Sequence, residues 1–462
     1  MIGLVHIKTW HSLPVALLTV GAAIFMFQSP APAADNADSS GSGQGPTFTK
    51  DVAPILQTHC QECHRSGAVA PMSLMTYQDA RPWARSIKQR VVQRTMPPWF
   101  VERNVGIQKF KDDPSLSDRE IATLVRWVDA GAPQGNPADM PPPAKLSELG
   151  AWQIGKPDLI VAAPAHTIPA QAPDTWLDLY SDSGLTEDRY IKAVQGMPSY
   201  PKGFRVVHHS HNYLIPPGGT EENEGMEREE TLNEYSAGKP ADIFPEGSGR
   251  LMKAGTRIHF NIHYHAVGEE IHDQFKIGLT FYPKGYVPKH IQQSGQFDQS
   301  QIPGGLDIPA GADNVRSDMY HRFNTAVTLT GFQPHMHDRG KRECLEAIYP
   351  DGKNEMLNCA DFNFGWALVY EWADDAAPIL PAGSILHIIN WHDNSDRNPA
   401  NPDSRNWVGS GARTIDEMSF VWLFWYNMSD DEYKQISAER QARRIAGKMP
   451  NLLAAPGGTA AR

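Results

Sequence analysis

The apolar residues of this chain change their spacing near residue 157, and the change limits what each part can fold into. Before it they recur at helical intervals: Val52, Ile55 and Leu56, then Ala80, Trp83, Ala84, Ile87 and Val91, then Ile121, Leu124, Val125 and Val128. Ser117 and Glu120 form a capping box at the start of the last run, and Gly131-Ala132-Pro133 ends it. From Asp158 onward short β-type runs alternate with Gly and Pro turns, the signature of antiparallel sandwiches. Between the two lie residues 136–157, where Asn-Pro, Met-Pro-Pro-Pro and Lys-Pro mark an extended linker.

At 462 residues the chain exceeds what one core can hold, so several domains are expected. The formal net charge of −11, with no Lys/Arg block to offset it, argues against nucleic acid as a partner. Residues 1–33 read as an export signal: Lys8, an apolar run from Leu13 to Phe27, and Ala31-Pro32-Ala33 as a small-residue cleavage site. Residues 34–45 are a flexible spacer. No other stretch is long and apolar enough to cross a bilayer, so the expectation is an exported, soluble chain in a bacterial periplasm.

The helical part carries Cys60-Gln61-Glu62-Cys63-His64. Two thiols at this spacing form thioethers to haem vinyl groups while the adjoining histidine reaches the iron, so one covalently bound haem c is expected. Three short helices around such a motif resemble a small class I cytochrome c, here over residues 46–135. That family usually supplies a distal methionine from a later loop. Met96, between Thr95 and Pro97-Pro98, matches it, with Met72 and Met75 as rivals. A thioether ligand raises the haem potential and fills the sixth position, which suits electron transfer.

Histidines gather at strand ends in the β part. His335 and His337 close an alternating run in GFQPHMHDRGK, and residues two apart on a strand share a face, so the pair is a candidate metal grip. His208 and His209 end another run. As strand neighbours they share a metal only if the backbone bends or they use different ring nitrogens. A third run places His259, Asn261, His263 and His265 on one face, where burial demands partners. Met418, read alone, is core filler at the head of the apolar strand that follows Asp416-Glu417.

In this order, Val-His-His, His-Tyr, His-x-His and Asp-Glu-Met, the four stretches resemble the copper type II, ascorbate-dependent monooxygenases, the peptidylglycine α-hydroxylating monooxygenase and dopamine β-hydroxylase family. The resemblance implies two antiparallel β-sandwich, jelly-roll-like copper domains, over residues 158–310 and 311–430, with residues 431–462 as a tail. It implies one copper on His208, His209 and His263 and a second on His335, His337 and Met418. The second would activate O2 for hydroxylation of a substrate C–H bond, and the first would store an electron. His211, His259 and His265 match no ligand of the family. A thioether beside two imidazoles independently favours copper over zinc.

Peptide-amidating members hold the peptide carboxylate with an arginine and a tyrosine where this chain has Gln333 and Trp422. Glutamine cannot replace the bidentate fork, so a small, more apolar organic substrate is expected. Electrons would enter through the haem from a soluble cytochrome, a quinol-linked donor or an ascorbate-like reductant. The alternatives are a haem and copper carrier without hydroxylase activity, or a reductase. Finally, Cys344 and Cys359 flank Asp351-Gly352, and a two-residue turn there would set them opposite each other for a disulfide.

Overall fold

The computed structural model describes residues 45–218, 230–236, 238–299, 305–366, 368–411 and 413–445. The export signal, residues 34–44 of the spacer, most of the acidic stretch 221–234 and the end of the tail lie outside them. The chain is mostly β-sheet, with 17% helix, and its layers are consistent with a β-sandwich. No described helix is long and apolar enough to cross a membrane.

One ten-stranded sheet runs the length of the β part, in the order Leu159–Ala162, Lys276–Phe281, Arg189–Met197, Ser248–Met252, His290–Asp298, Ser419–Met428, Ala326–Met336, Tyr370–Glu371, with Asp242–Ile243 and Ile379–Leu380 paired at its sides. A four-stranded sheet covers each half. The first contains Thr175–Asp182, Arg257–Tyr264, Val207–Ile215 and Glu230–Ser236; the second contains Val315–Arg322, Ile385–His392, Gly340–Ile348 and Asn354–Asp361. Facing side chains fill the gaps. Phe260, Ile262 and Leu214 meet Ile191, Val194 and Ile277 in one core, and Leu345, Ala347 and Ile388 meet Val327, Leu329 and Leu423 in the other. Because His290–Asp298 pairs with Ser419–Met428, the two expected β units share a sheet.

Residues 48–129 form short helices around their own core of Phe48, Val52, Leu56, Leu124 and Trp127. Asp118–Asp129 opens on the expected capping box and ends before Gly131, whose φ of 85° suits the chain reversal. Trp83, expected on a buried face, is 43% exposed. An all-α unit over 46–135 is not seen. Val101 bridges to Ala360 and Phe110 to Trp372, because Trp99 and Phe110 bury their rings against Tyr370 and Trp372. Gly106, at φ 63°, lets this strap lie on the sheet, since a Cβ there would stand 1.8 Å from the Leu357 carbonyl oxygen. Gly106→Ala is therefore expected to lower unfolding free energy by about 1–3 kcal/mol, readable as a shift in denaturant midpoint.

The acidic stretch 221–234 ends in the strand Glu230–Ser236, buried from Thr231 onward, where cross-strand pairing to Val207–Ile215 overrides polarity. One expectation is corrected in detail. Cys344 and Cys359 do pair across strands and are disulfide-bonded. The turn between them is longer than two residues, spanning 349–353, and a register shift between Leu345 and Glu346 compensates for it.

Candidate metal centre

The first histidine set forms because the strand carrying it is bulged. Val207 pairs with Tyr264 but His209 pairs with His263, so His208 is the extra residue on its strand. The bulge turns two neighbouring imidazoles to one side, the bend that regular pleating forbids. Ligand atoms of His208, His209 and His263 all lie within 4.8 Å of one another. The Nδ1 atoms of His208 and His209 are 3.0 Å apart, close to the roughly 3.3 Å expected of two nitrogens about 2.0 Å from one ion at a tetrahedral angle.

The far nitrogens are anchored. His263 Nε2 meets Asp174 Oδ2 at 3.1 Å, and His208 Nε2 meets the Gly365 carbonyl oxygen at 3.0 Å. Trp176 stacks on the His263 ring with centroids 4.1 Å apart. His263 Nδ1 is left buried without a hydrogen-bond partner among the described residues. Burial pushes the imidazole pKa values down. His263 falls to about 4, with His208 adding to the effect, and His209 lies well below its usual range as neighbouring imidazoles add to desolvation. Neutral rings whose ligand nitrogens lie this close together are a form a metal can take.

The second set sits at the end of Ala326–Met336. His335 is paired with Phe420 and stacks on it at 4.2 Å between centroids; the rings of His335 and His337 are 5.6 Å apart. Burial holds His335 neutral. His337 Nδ1 faces the Asp416 carbonyl oxygen at 3.1 Å, which leaves Nε2 outward. The buried Glu417 carboxylate accepts the backbone N–H of His337 and of Arg339, fixing this strand end against the segment 416–418. Met336 pairs with Ser419, the residue that follows Met418. The Met418 side chain packs with Tyr213, Phe420 and Trp422.

The remaining histidines divide. His259 bonds Asp178 and stacks against Tyr180, which is a structural role. His211 is buried 5.2 Å from the His209 ring, and His265 lies 6.0 Å from His208. Gln333 and Trp422 face each other as a cross-strand pair. Sequence reasoning missed Asp174, Trp176 and Gly365. They are distant in sequence and carry no motif, whereas Glu417 was visible inside Asp-Glu-Met.

In the helical part Cys60, Cys63 and His64 share one turn, and both thiols are free. Burial raises the Cys60 thiol to about 12. His64 Nδ1 faces the Met72 carbonyl oxygen at 3.2 Å, leaving Nε2 available, and Met96 is half-buried beyond the helix Ala84–Val92.

No family model matches this chain, and no curated protein matches it. Among solved structures it is similar to infectious bursal disease virus, Gx strain, at 8% identity over 64% of this chain and 90% of the other, with a TM-score of 0.16. Vicilin from Solanum lycopersicum matches at 7% identity over 60% and 83%, with a TM-score of 0.13. A mutant of Bacillus subtilis oxalate decarboxylase matches at 6% over 70% and 91%, with a TM-score of 0.14. Scores this low carry no argument about fold or function.

Proposed function

We propose that this chain is a copper-dependent monooxygenase that hydroxylates a C–H bond of a small, apolar organic substrate with O2. The helical part is read as a class I cytochrome c and the β layers as two jelly-roll-like copper domains. The observation that carries the reading is the bulge at His208, which aims two adjacent imidazoles at His263, whose buried Nδ1 has no hydrogen-bond partner among the described residues. His208, His209 and His263 would hold one copper, and His335, His337 and Met418 the other. Copper in these sets would supply O2 activation and single-electron exchange.

The protein's own groups prepare that chemistry. Asp174 and the Gly365 carbonyl hold the proton of their histidines on Nε2, so that Nδ1 is bare. The Asp416 carbonyl does the converse for His337. Phe420, Trp422 and Tyr213 form a buried apolar cluster against which Met418 packs. Gln333 opposite Trp422 provides no cation for a substrate carboxylate, which supports a neutral substrate over a peptidylglycine. Hydroxylation consumes two electrons and two protons, one oxygen atom going to carbon and the other to water. Cys60, Cys63, His64 and Met96 would hold a covalent haem, a group that supplies single electrons.

A metal and haem count on the exported protein tests the reading at once, with two copper per haem expected; zinc in their place overturns it. Met418→Ile is expected to abolish product formation from O2 and substrate while the haem spectrum stays intact. If that variant hydroxylates as well as the parent, the methionine-containing set is not where oxygen reacts. If the parent yields no product yet still passes electrons from haem to copper, the chain is a carrier.

A further inference from the structure

The first histidine set is completed by a residue from the other half of the molecule. The anchor on His208 Nε2 is the carbonyl of Gly365, which follows the strand Asn354–Asp361 and belongs to a short loop at the edge of the second four-stranded sheet. That loop is stiff. Asn363 Oδ1 accepts the Gly365 N–H at 3.0 Å, and the Trp366 N–H reaches the Asn363 carbonyl at 2.9 Å, so the side chain closes an Asx turn around the residue that contacts His208.

Its base is fixed from the second set. Phe362 N–H bonds the Lys341 carbonyl at 2.9 Å, and its ring lies where a Cβ on Gly340 would come within 2.5 Å of it. Gly340 in turn bonds back to the His337 carbonyl. Phe364 lays its ring 5.9 Å from His337, edge to face. The segment 362–366 therefore touches a histidine of each set.

Given the metal assignment under Proposed function, on which this rests, we infer that the loop 362–366 positions His208 as a ligand by keeping its proton on Nε2. The second half of the molecule thereby sets the metal affinity of the first. Asn363 is a positioning residue that acts through the Gly365 carbonyl and touches no metal. Losing the hydrogen bond that orients a ligating imidazole typically weakens metal binding 10–100-fold.

The test combines Asn363→Ala, which opens the Asx turn, with Asn363→Asp, which keeps the acceptor for Gly365 N–H. Copper binding to each set is measured by chelator competition on the full chain. In the metal-free protein the His208 tautomer is read from its ring 15N shifts. The expected result for Asn363→Ala is a loss of at least about 10-fold in affinity at the first set, no change at the second, an unchanged melting temperature, and a His208 that no longer holds its proton on Nε2 alone. Asn363→Asp should restore both. An unaltered first-set affinity, or an unaltered His208 tautomer, in Asn363→Ala overturns the inference. If the parent protein binds no copper at all, the proposed function falls instead, and the tautomer measurement alone decides whether the loop positions His208.

Discussion

On the metal and haem assignment proposed above, His263→Ala is expected to empty the first metal set while leaving the haem and the second set loaded. His263 is the one member contributed by the neighbouring strand, and its buried Nδ1 has no hydrogen-bond partner among the described residues. Removing it leaves two adjacent imidazoles on a bulge. Loss of an orienting partner alone costs 10–100-fold in affinity, so loss of the ligand itself should exceed about 100-fold. The pH dependence is an independent readout. A site built from ordinary imidazoles loses metal to protons below their usual 6.5. Here burial holds His263 at about 4 and His209 well below its usual range. Protons therefore compete only at lower pH, and first-set copper affinity should stay nearly level from pH 7 to pH 5. Copper titrations of parent and His263→Ala, read by the Cu(II) resonance, check both. An affinity that drops steeply between pH 7 and pH 6 would mean the rings are open to water and the packing described for the set is wrong.

The same residues show how far the sequence reaches. The helix Asp118–Asp129 was legible to its cap, because Ser117 and Glu120 act within one turn. The pairing of Cys344 with Cys359 was legible too, though by a register that a bulge restores after a longer turn. Local chemistry specifies both. What the sequence did not carry were effects of long range. Val101 and Phe110 leave an apparently helical region for the sheet because the aromatic partners that bury Phe110 and Trp99 lie some 270 residues on. The acidic character of Glu230–Ser236 argued for solvent, yet ladder hydrogen bonds to Val207–Ile215 place it inside. For the site, two adjacent strand histidines need a bend at His208 to share a face, and a one-residue mismatch against Arg257–Tyr264 that no single strand encodes supplies it. Asp174 and Gly365 were invisible, since an orienting partner needs only one acceptor in the right place.

Glu343→Gln should stabilise the protein, and by an amount that grows with pH. Glu343 is fully buried on Gly340–Ile348, and neither carboxylate oxygen has a hydrogen-bond partner among the described residues. Its cross-strand neighbour Asn390 is also buried, with an amide oxygen that lacks a donor. Desolvation alone raises the Glu343 pKa well above its usual 4.5, so the folded protein keeps this group protonated where the unfolded chain has released the proton. The sign follows from that difference. Below pH 4.5 both states hold the proton and the group adds no pH-dependent cost. As pH rises above it, the folded state must retain a proton the unfolded state gives up, and stability falls by about 1.4 kcal/mol per unit until the folded pKa is reached. Glutamine has the same shape and does not titrate. The variant should therefore match the parent near pH 4.5 and exceed it by a margin that widens toward pH 7, where a few kcal/mol is a large share of the ~5–15 kcal/mol that holds a domain together. Denaturant unfolding of both proteins at pH 4.5, 5.5 and 7 measures the margin. A constant difference across that range would mean Glu343 is ionised in the fold and has a partner, most simply a cation or ordered water beside Asn390.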